Sequence, residues 1–263
     1  MSPRPASIRI AVALTVALFG ASACNLQLST DVEAKDTWSR TYPINADGHL
    51  VIKTSNGRVE VNASDRADIE VSVERVVRAA NEETANEQLK AFEIAETASA
   101  SEVTLDSTTR GMQIGVQRRA SYTVSVPRGL AVTLESSNGD ILATGLGGAF
   151  EASSSNGRIR GIDLQHSAKA STSNGVIELV MAALAEPGVT AETSNGMVTV
   201  TLPPTAAADV SVRVTNGDIS HDGLDLQVLE SSRRRLDGRL NGGGIPVRVE
   251  TTNGAVRLRG GNQ

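Results

Sequence analysis

Few side chains in this 263-residue chain are equipped for catalysis, and their spacing gives them little to work with. The histidines are His49, His166 and His221. A histidine acting as general base needs a nucleophile at one ring nitrogen and an orienting group at the other. Asp222 follows His221 directly, but adjacent residues of a strand point to opposite faces, so the two cannot work as one unit. Calcium-binding repeats of some β-helices are rich in aspartate, whereas here Asp follows an Asn-Gly pair only at Asp140 and Asp218. A β-helical polysaccharide lyase needs acidic and basic groups clustered on one face, and no such cluster can be built from these positions. The expectation is therefore no catalytic residue, no metal ligand and no cofactor, with a carbohydrate-active β-helix enzyme as a minor alternative. Aromatic platforms for sugars are also sparse: Trp38, Tyr42, Phe92, Tyr122 and Phe150.

One further reactive group is Cys24, the sole cysteine. Arg4 and Arg9 make a basic start, Ile10 to Phe19 is apolar, and Gly20-Ala21-Ser22-Ala23 lead into the thiol. The apolar run is shorter than the ~20 residues of a spanning helix, which makes it a secretory signal. The small residues before the cysteine resemble a bacterial lipobox, with Ala21 where Leu is more usual. That resemblance implies cleavage after Ala23, lipidation of Cys24 and anchoring in a membrane leaflet; an ordinary signal peptide with an incidental cysteine is the alternative. The chain then divides into a signal peptide (1–23), a polar lipidated tether (24–45) and a repeat domain (46–263). Without Arg4 and Arg9 the 25 basic residues fall to 23 against 30 acidic ones, a net of −7. No general basic field invites nucleic acid. With one cysteine there is no intramolecular disulfide, and burial must stabilise the fold.

What would position any site is a repeat. Asn-Gly occurs at Asn56-Gly57, Asn138-Gly139, Asn156-Gly157, Asn174-Gly175, Asn195-Gly196, Asn216-Gly217 and Asn253-Gly254, and from Asn138 the steps are 18, 18, 21, 21 and 37 residues. Six residues before each Asn stand Leu50, Val132, Phe150, Ala168, Val189, Val210 and Val247; the residues four before are equally apolar. Three after it stand Val59, Ile141, Ile159, Ile177, Val198, Ile219 and Val256, all β-branched. Period-two alternation on both sides of a punctuating pair means strand, turn, strand. Gly is suited to such a turn by its freedom at positive φ, and Asn tolerates the left-handed region. The fold class is all-β, and two architectures fit. One is a single-domain parallel β-solenoid, or β-helix, of about 18–21 residues per coil, stacked at ~4.8 Å with its Asn residues in a ladder. The other is an antiparallel meander of Asn-Gly hairpins. In either case the Asn-Gly residues are structural turns rather than binding groups.

Residues 81–95 break the pattern with Glu82, Glu83, Glu87, Leu89, Lys90 and Phe92, which predicts one inserted helix capped by Asn81 and packed through Leu89 and Phe92. The 37-residue step suggests a degenerate copy at Asp237-Gly238, where Ser231 and Arg233 replace the apolar pair. From Glu230 onward seven arginines (233, 234, 235, 239, 248, 257 and 259) face Glu230, Asp237 and Glu250. Such a run fits either an anionic envelope polymer or headgroup, or a solvated end whose charges discourage stacking of open edges.

Two segments carry a family resemblance. Gly238-Arg239-Leu240-Asn241-Gly242-Gly243-Gly244 running on to Val247-Arg248-Val249-Glu250-Thr251-Thr252-Asn253-Gly254, and Tyr122 to Leu130 running into Ser137-Asn138-Gly139-Asp140-Ile141, resemble the bacterial putative-adhesin family of β-strand-repeat proteins. The resemblance spans about residues 46–260. It implies a β-solenoid domain of unknown function, often on lipoproteins or exported proteins, and brings no catalytic residues. The functional expectation is an exported, membrane-anchored module facing the periplasm or the cell surface, structural or adhesive in role. An envelope accessory that binds a regulatory protein is the alternative, and an envelope protein or polymer is the expected class of partner.

Overall fold

The computed structural model describes residues 31–108 and 115–261, so Cys24 and the 1–23 segment lie outside the described residues. The described chain is all-β apart from one helix, in two large, mostly parallel sheets. It opens with β1 (Val32–Pro43), β2 (His49–Asn56), β3 (Val59–Ser64) and β4 (Asp68–Ala79). Helix α1 (Glu82–Lys90) follows, then β5 (Ala95–Ala98), β6 (Glu102–Ser107) and β7 (Gln117–Pro127). The repeats supply β8 (Ala131–Asn138) with β9 (Ile141–Thr144), β10 (Phe150–Asn156) with β11 (Ile159–Leu164), and β12 (Ala168–Asn174) with β13 (Ile177–Met181). Next come β14 (Val189–Asn195) with β15 (Val198–Leu202), and β16 (Ala208–Asn216) with β17 (Ile219–Asp222). β18 (Leu226–Ser232) and β19 (Arg235–Leu240) precede the last pair, β20 (Ile245–Asn253) and β21 (Val256–Gly260).

In each repeat one strand ends on the Asn, and the next begins on the β-branched residue three positions later, in the other sheet. One sheet has the order β1-β4-β7-β3-β9-β11-β13-β15-β21-β17. The other has the order β18-β19-β16-β20-β14-β12-β10-β8-β2-β6-β5. Like residues stack on like: Asn56, Asn138, Asn156, Asn174, Asn195, Asn253 and Asn216 are consecutive register partners. The apolar columns face inward, where Leu50, Ile52, Val59, Val61, Ile177 and Leu179 are fully buried.

The hairpin alternative is not the arrangement adopted, because the strands flanking each Asn-Gly do not pair with one another. A primed two-residue hairpin needs positive φ at both central residues. Outside glycine, positive φ among the described residues is confined to Asp163 and Asn241, so no repeat Asn adopts it. Gly57, Gly196, Gly217 and Gly254 do hold positive φ, between 126° and 158°, and a second demand for glycine is steric. A Cβ on Gly157 would lie 2.1 Å from the Gly139 carbonyl oxygen, and one on Gly175 would lie 1.9 Å from that of Gly157. The same holds along the stack, down to 1.7 Å for Gly217 against Gly254. Backbone stacks on backbone at this corner, and only glycine fits.

Asn and the hydroxyl residue two before it are explained by the same corner. The Nδ2 of Asn138, Asn156, Asn174, Asn195 and Asn253 each donates to the Oδ1 of the Asn one rung nearer β2, at 2.9–3.1 Å. Asn216 donates to Asn253 at 2.9 Å, and Asn56 ends the run on the Arg118 carbonyl at 3.2 Å. The buried hydroxyls of Thr172, Thr193 and Thr251 donate to the glycine carbonyls of the adjoining rung at 3.2–3.3 Å. Burying these polar groups costs little because each finds a partner in the next copy.

Chain order and spatial order part company at both ends. β2 and β3 lie between the β6/β7 rung and the β8/β9 rung. At the other end β20 sits between β14 and β16, and β21 between β15 and β17. The expected degenerate copy at Asp237-Gly238 is instead part of β19, which runs antiparallel to both β16 and β18. In this antiparallel strand Leu236 and Leu240 turn to the core, while Arg235 and Arg239 lie on the other face. At the opposite end β1 and β4 add antiparallel strands beyond β7.

Most of the segment read as a tether, 24–45, is also strand. Val32–Pro43 pairs with β4 over its whole length, burying Ala34 and Tyr42. Its polar composition belongs to the exposed residues of an edge strand. α1 starts as expected, with Asn81 Oδ1 accepting from the Thr84 amide at 2.8 Å. It stops at Lys90, short of residue 95: Phe92 and Ile94 turn into the core instead, and the Arg118 guanidinium lies 5.6 Å from the Phe92 ring centre. Arg75 closes this end of the stack, forking onto Asp36 at 2.9 and 2.5 Å and donating to the Phe92 carbonyl.

Candidate interaction surface

Since inward positions are taken by the core, whatever the stack does is done by its outward columns. On the β2/β8/β10 sheet the residues just before the Asn are hydroxyls in every repeat, among them Ser137, Ser155, Ser173, Ser194, Thr252 and Thr215. Two residues further back the column reads Lys53, Glu135, Ser153, Ser171, Glu192, Glu250 and Arg213 in spatial order. Lys53 and Glu135 neutralise each other at 3.1 Å, and in the adjacent column Lys169 and Glu151 do so at 2.7 Å. Glu192 and Glu250 are register neighbours with no ion pair among the described residues. Together with Ser171, Ser173, Ser194 and Thr252 they line a shallow groove of about 360 Å³. A second groove of about 460 Å³ runs across the strand starts, past His49, Thr133, Phe150, Lys169, Pro187 and Arg248.

The histidines are spread across the molecule. His49 Nε2 lies 2.8 Å from Thr133 Oγ1 and its Nδ1 lies 3.8 Å from Glu102. This is an approach to a nucleophile–base–carboxylate line, but 3.8 Å is beyond hydrogen-bond length, and Glu102 stands in solvent, so no carboxylate orients the ring. No sequence motif links these residues, since the stacking of distant rungs brings them together. His166 contacts Ser167 at 3.1 Å, and His221 and Asp222 are both exposed at the end of β17. Among the described residues no three His, Cys, Asp or Glu side chains gather as a metal site. No described helix is long and apolar enough to cross a membrane.

The basic run of the C-terminal segment does not form one patch. Arg248 projects from the β20 sheet, while Arg257 and Arg259 project from β21 in the other sheet. Arg239 approaches Asp209 at 3.4 Å, and Arg235 binds Glu230 and Asp237 at 3.3 and 2.6 Å. Asp237 also accepts from Ser211 Oγ at 2.7 Å. That hydrogen bond, followed by the Arg235 contacts, holds its carboxyl below the ordinary 3.8. A depressed folded pKa gives stability that is complete above the unfolded value and lost as pH falls through the folded one. Acid denaturation of the native chain should therefore steepen below about pH 4, and Asp237→Asn should flatten that limb. Parallel acid limbs in the two proteins would show that Asp237 contributes nothing.

No family model matches the chain, and no curated protein matches its sequence. Among solved structures it is similar to a putative cell adhesion protein from Clostridium sporogenes, at 12% identity and a TM-score of 0.49, covering 88% of this chain and 100% of that one. It is similar to a putative adhesin from Bacteroides fragilis at 11% identity and a TM-score of 0.36, covering 86% and 98%. A putative lipid binding protein from Parabacteroides distasonis follows at 12% identity and a TM-score of 0.30, covering 86% and 97%.

Proposed function

We propose that the chain is an exported, lipid-anchored β-solenoid whose stacked coils form a non-catalytic structural or adhesion module of the bacterial cell envelope. The observation that carries this reading is how the repeat residues are used. The Asn side chains and the hydroxyls of Thr172, Thr193 and Thr251 are committed to bonds between rungs, the glycines to their close stacking, and the outward columns are left as a long surface of small polar groups. Such a surface suits extended contact with a polymer or protein better than chemistry on a small substrate. The signal-like segment and the lipobox-like residues before Cys24 support export and anchoring, and the resemblance of 122–141 and 238–254 to the putative-adhesin family supports the module type. A second reading, an accessory that binds a regulatory envelope protein, is favoured by the stacked Glu192 and Glu250, neither in an ion pair among the described residues.

Fractionation of cells expressing the native chain and Cys24→Ala tests the anchor. The native protein should sediment with membranes, and the variant should appear in the soluble exported fraction. A variant that stays with the membrane overturns the lipid-anchor reading. Protease treatment of intact cells then separates the roles. Digestion of the domain is expected for surface adhesion, and complete protection would exclude it.

A further inference from the structure

Each sheet has two outermost strands, and such edges invite pairing with another chain unless they are blunted. Three of the four are blunted by charge, proline or shortness, and the fourth carries only a bulge. β1 carries Glu33, Lys35, Asp36 and Arg40 and ends on Pro43, while β5 and β17 are four residues long. β18 is seven residues long with one charge, Glu230, and among the described residues pairs only with β19. It also carries Val228 and Leu229, 43% and 58% exposed, the two large apolar side chains that stand in solvent among the described residues. The register break between Val228 and Glu230 leaves Leu229 without a partner on β19.

The charges around this strand say what would cover it. Asp225 and Arg233 lie four residues on either side of Leu229, each one residue beyond an end of β18 and Arg233 in the turn to β19, both exposed and neither in an ion pair among the described residues. Suppose a second copy of β18 runs antiparallel with Leu229 opposite Leu229. Asp225 then meets Arg233 at both ends, Gln227 meets Ser231, and the apolar pair is covered at the centre. Parallel pairing would set Asp225 on Asp225 and Arg233 on Arg233, and a slip of two residues would lose both ion pairs. Opposite charges across a strand pair stabilise it and like charges oppose it. A contact of this kind is isologous, each copy presenting the same patch to the other. We propose that β18 is a self-association edge, through which two copies of this chain pair antiparallel about a two-fold axis at Leu229.

The test places cysteines along the strand in the full exported chain with Cys24→Ala, so that no other thiol is present. Under mild oxidation Leu229→Cys should form a disulfide-linked dimer, since each residue faces its own counterpart. Asp225→Cys alone should not, because its counterpart lies about 27 Å away, whereas Asp225→Cys mixed with Arg233→Cys should link. In light scattering Asp225→Arg should weaken dimerisation about tenfold, and adding Arg233→Asp should restore it. Equal linking at residues 225 and 229, failure of Leu229→Cys to link, or failure of the charge swap to restore the dimer overturns the proposal.

Discussion

Replacing Gly175 by Ala should lower the thermal midpoint by on the order of 10 °C. The added Cβ would sit 1.9 Å from the Gly157 carbonyl oxygen and 2.8 Å from its carbon. Neither backbone can retreat freely, because the Gly175 amide donates to the Asn195 carbonyl at 3.0 Å and Asn174 is bonded to rungs on both sides. Forced overpacking of a fixed backbone costs about 3 kcal/mol, and in a domain of this size each kcal/mol moves the midpoint by roughly 2–4 °C. Gly261→Ala is the matched control, since its Cβ would come no nearer than 3.4 Å to the Leu202 oxygen. Differential scanning of the two variants decides the matter. A Gly175→Ala midpoint within about 1 °C of the Gly261→Ala midpoint would show that the corner yields and that steric stacking is not why glycine stands there.

Deleting residues 245–263 should do more damage than a terminal deletion ordinarily does. It removes β20 and β21, whose Val247, Val249, Val256 and Leu258 are at most 2% exposed, from between two rungs that remain. β16 to β19 would then be separated from β14 and β15 by a missing layer rather than shortened at an end. Limited proteolysis with mass spectrometry should find new cleavage concentrated between residues 203 and 244, while the β8 to β15 region stays protected. The contrary result is a compact, protease-resistant truncated chain. It would mean that β16 and β17 have closed directly onto β14 and β15, and that order within the stack is interchangeable.

The likeness of the rungs to one another explains what could and could not be read from the residues alone. The inward columns, the corner at each Asn-Gly and the start of α1 at Asn81 were legible because each follows from local periodicity or a side chain reaching its own backbone. Neighbour identity was not. By residue class alone Val210 and Val212 match Val189 and Ala191 as well as Val247 and Val249 do, so the sequence does not say that β14 pairs with β20. β1 was hidden because an edge strand exposes polar side chains as a tether does. The arginines of the C-terminal segment looked like one patch in sequence, yet β20 and β21 belong to different sheets. The His49–Thr133 contact joins residues 84 positions apart and has no local signature.

The placement of β20 and β21 inside the stack also bears on time. A chain delivered from its N-terminus can assemble the rungs up to β15 as they emerge, each new strand adding to the last. It cannot finish that way, because the layer that must lie against β14 and β15 is the last to arrive, after β16 to β19 are already present. Until residue 260 is free, β14 keeps an unsatisfied edge and β16 has no settled neighbour on that side. The closing step therefore waits until residue 260 has emerged, and a chain stalled or clipped before that point would keep that edge open to other strands.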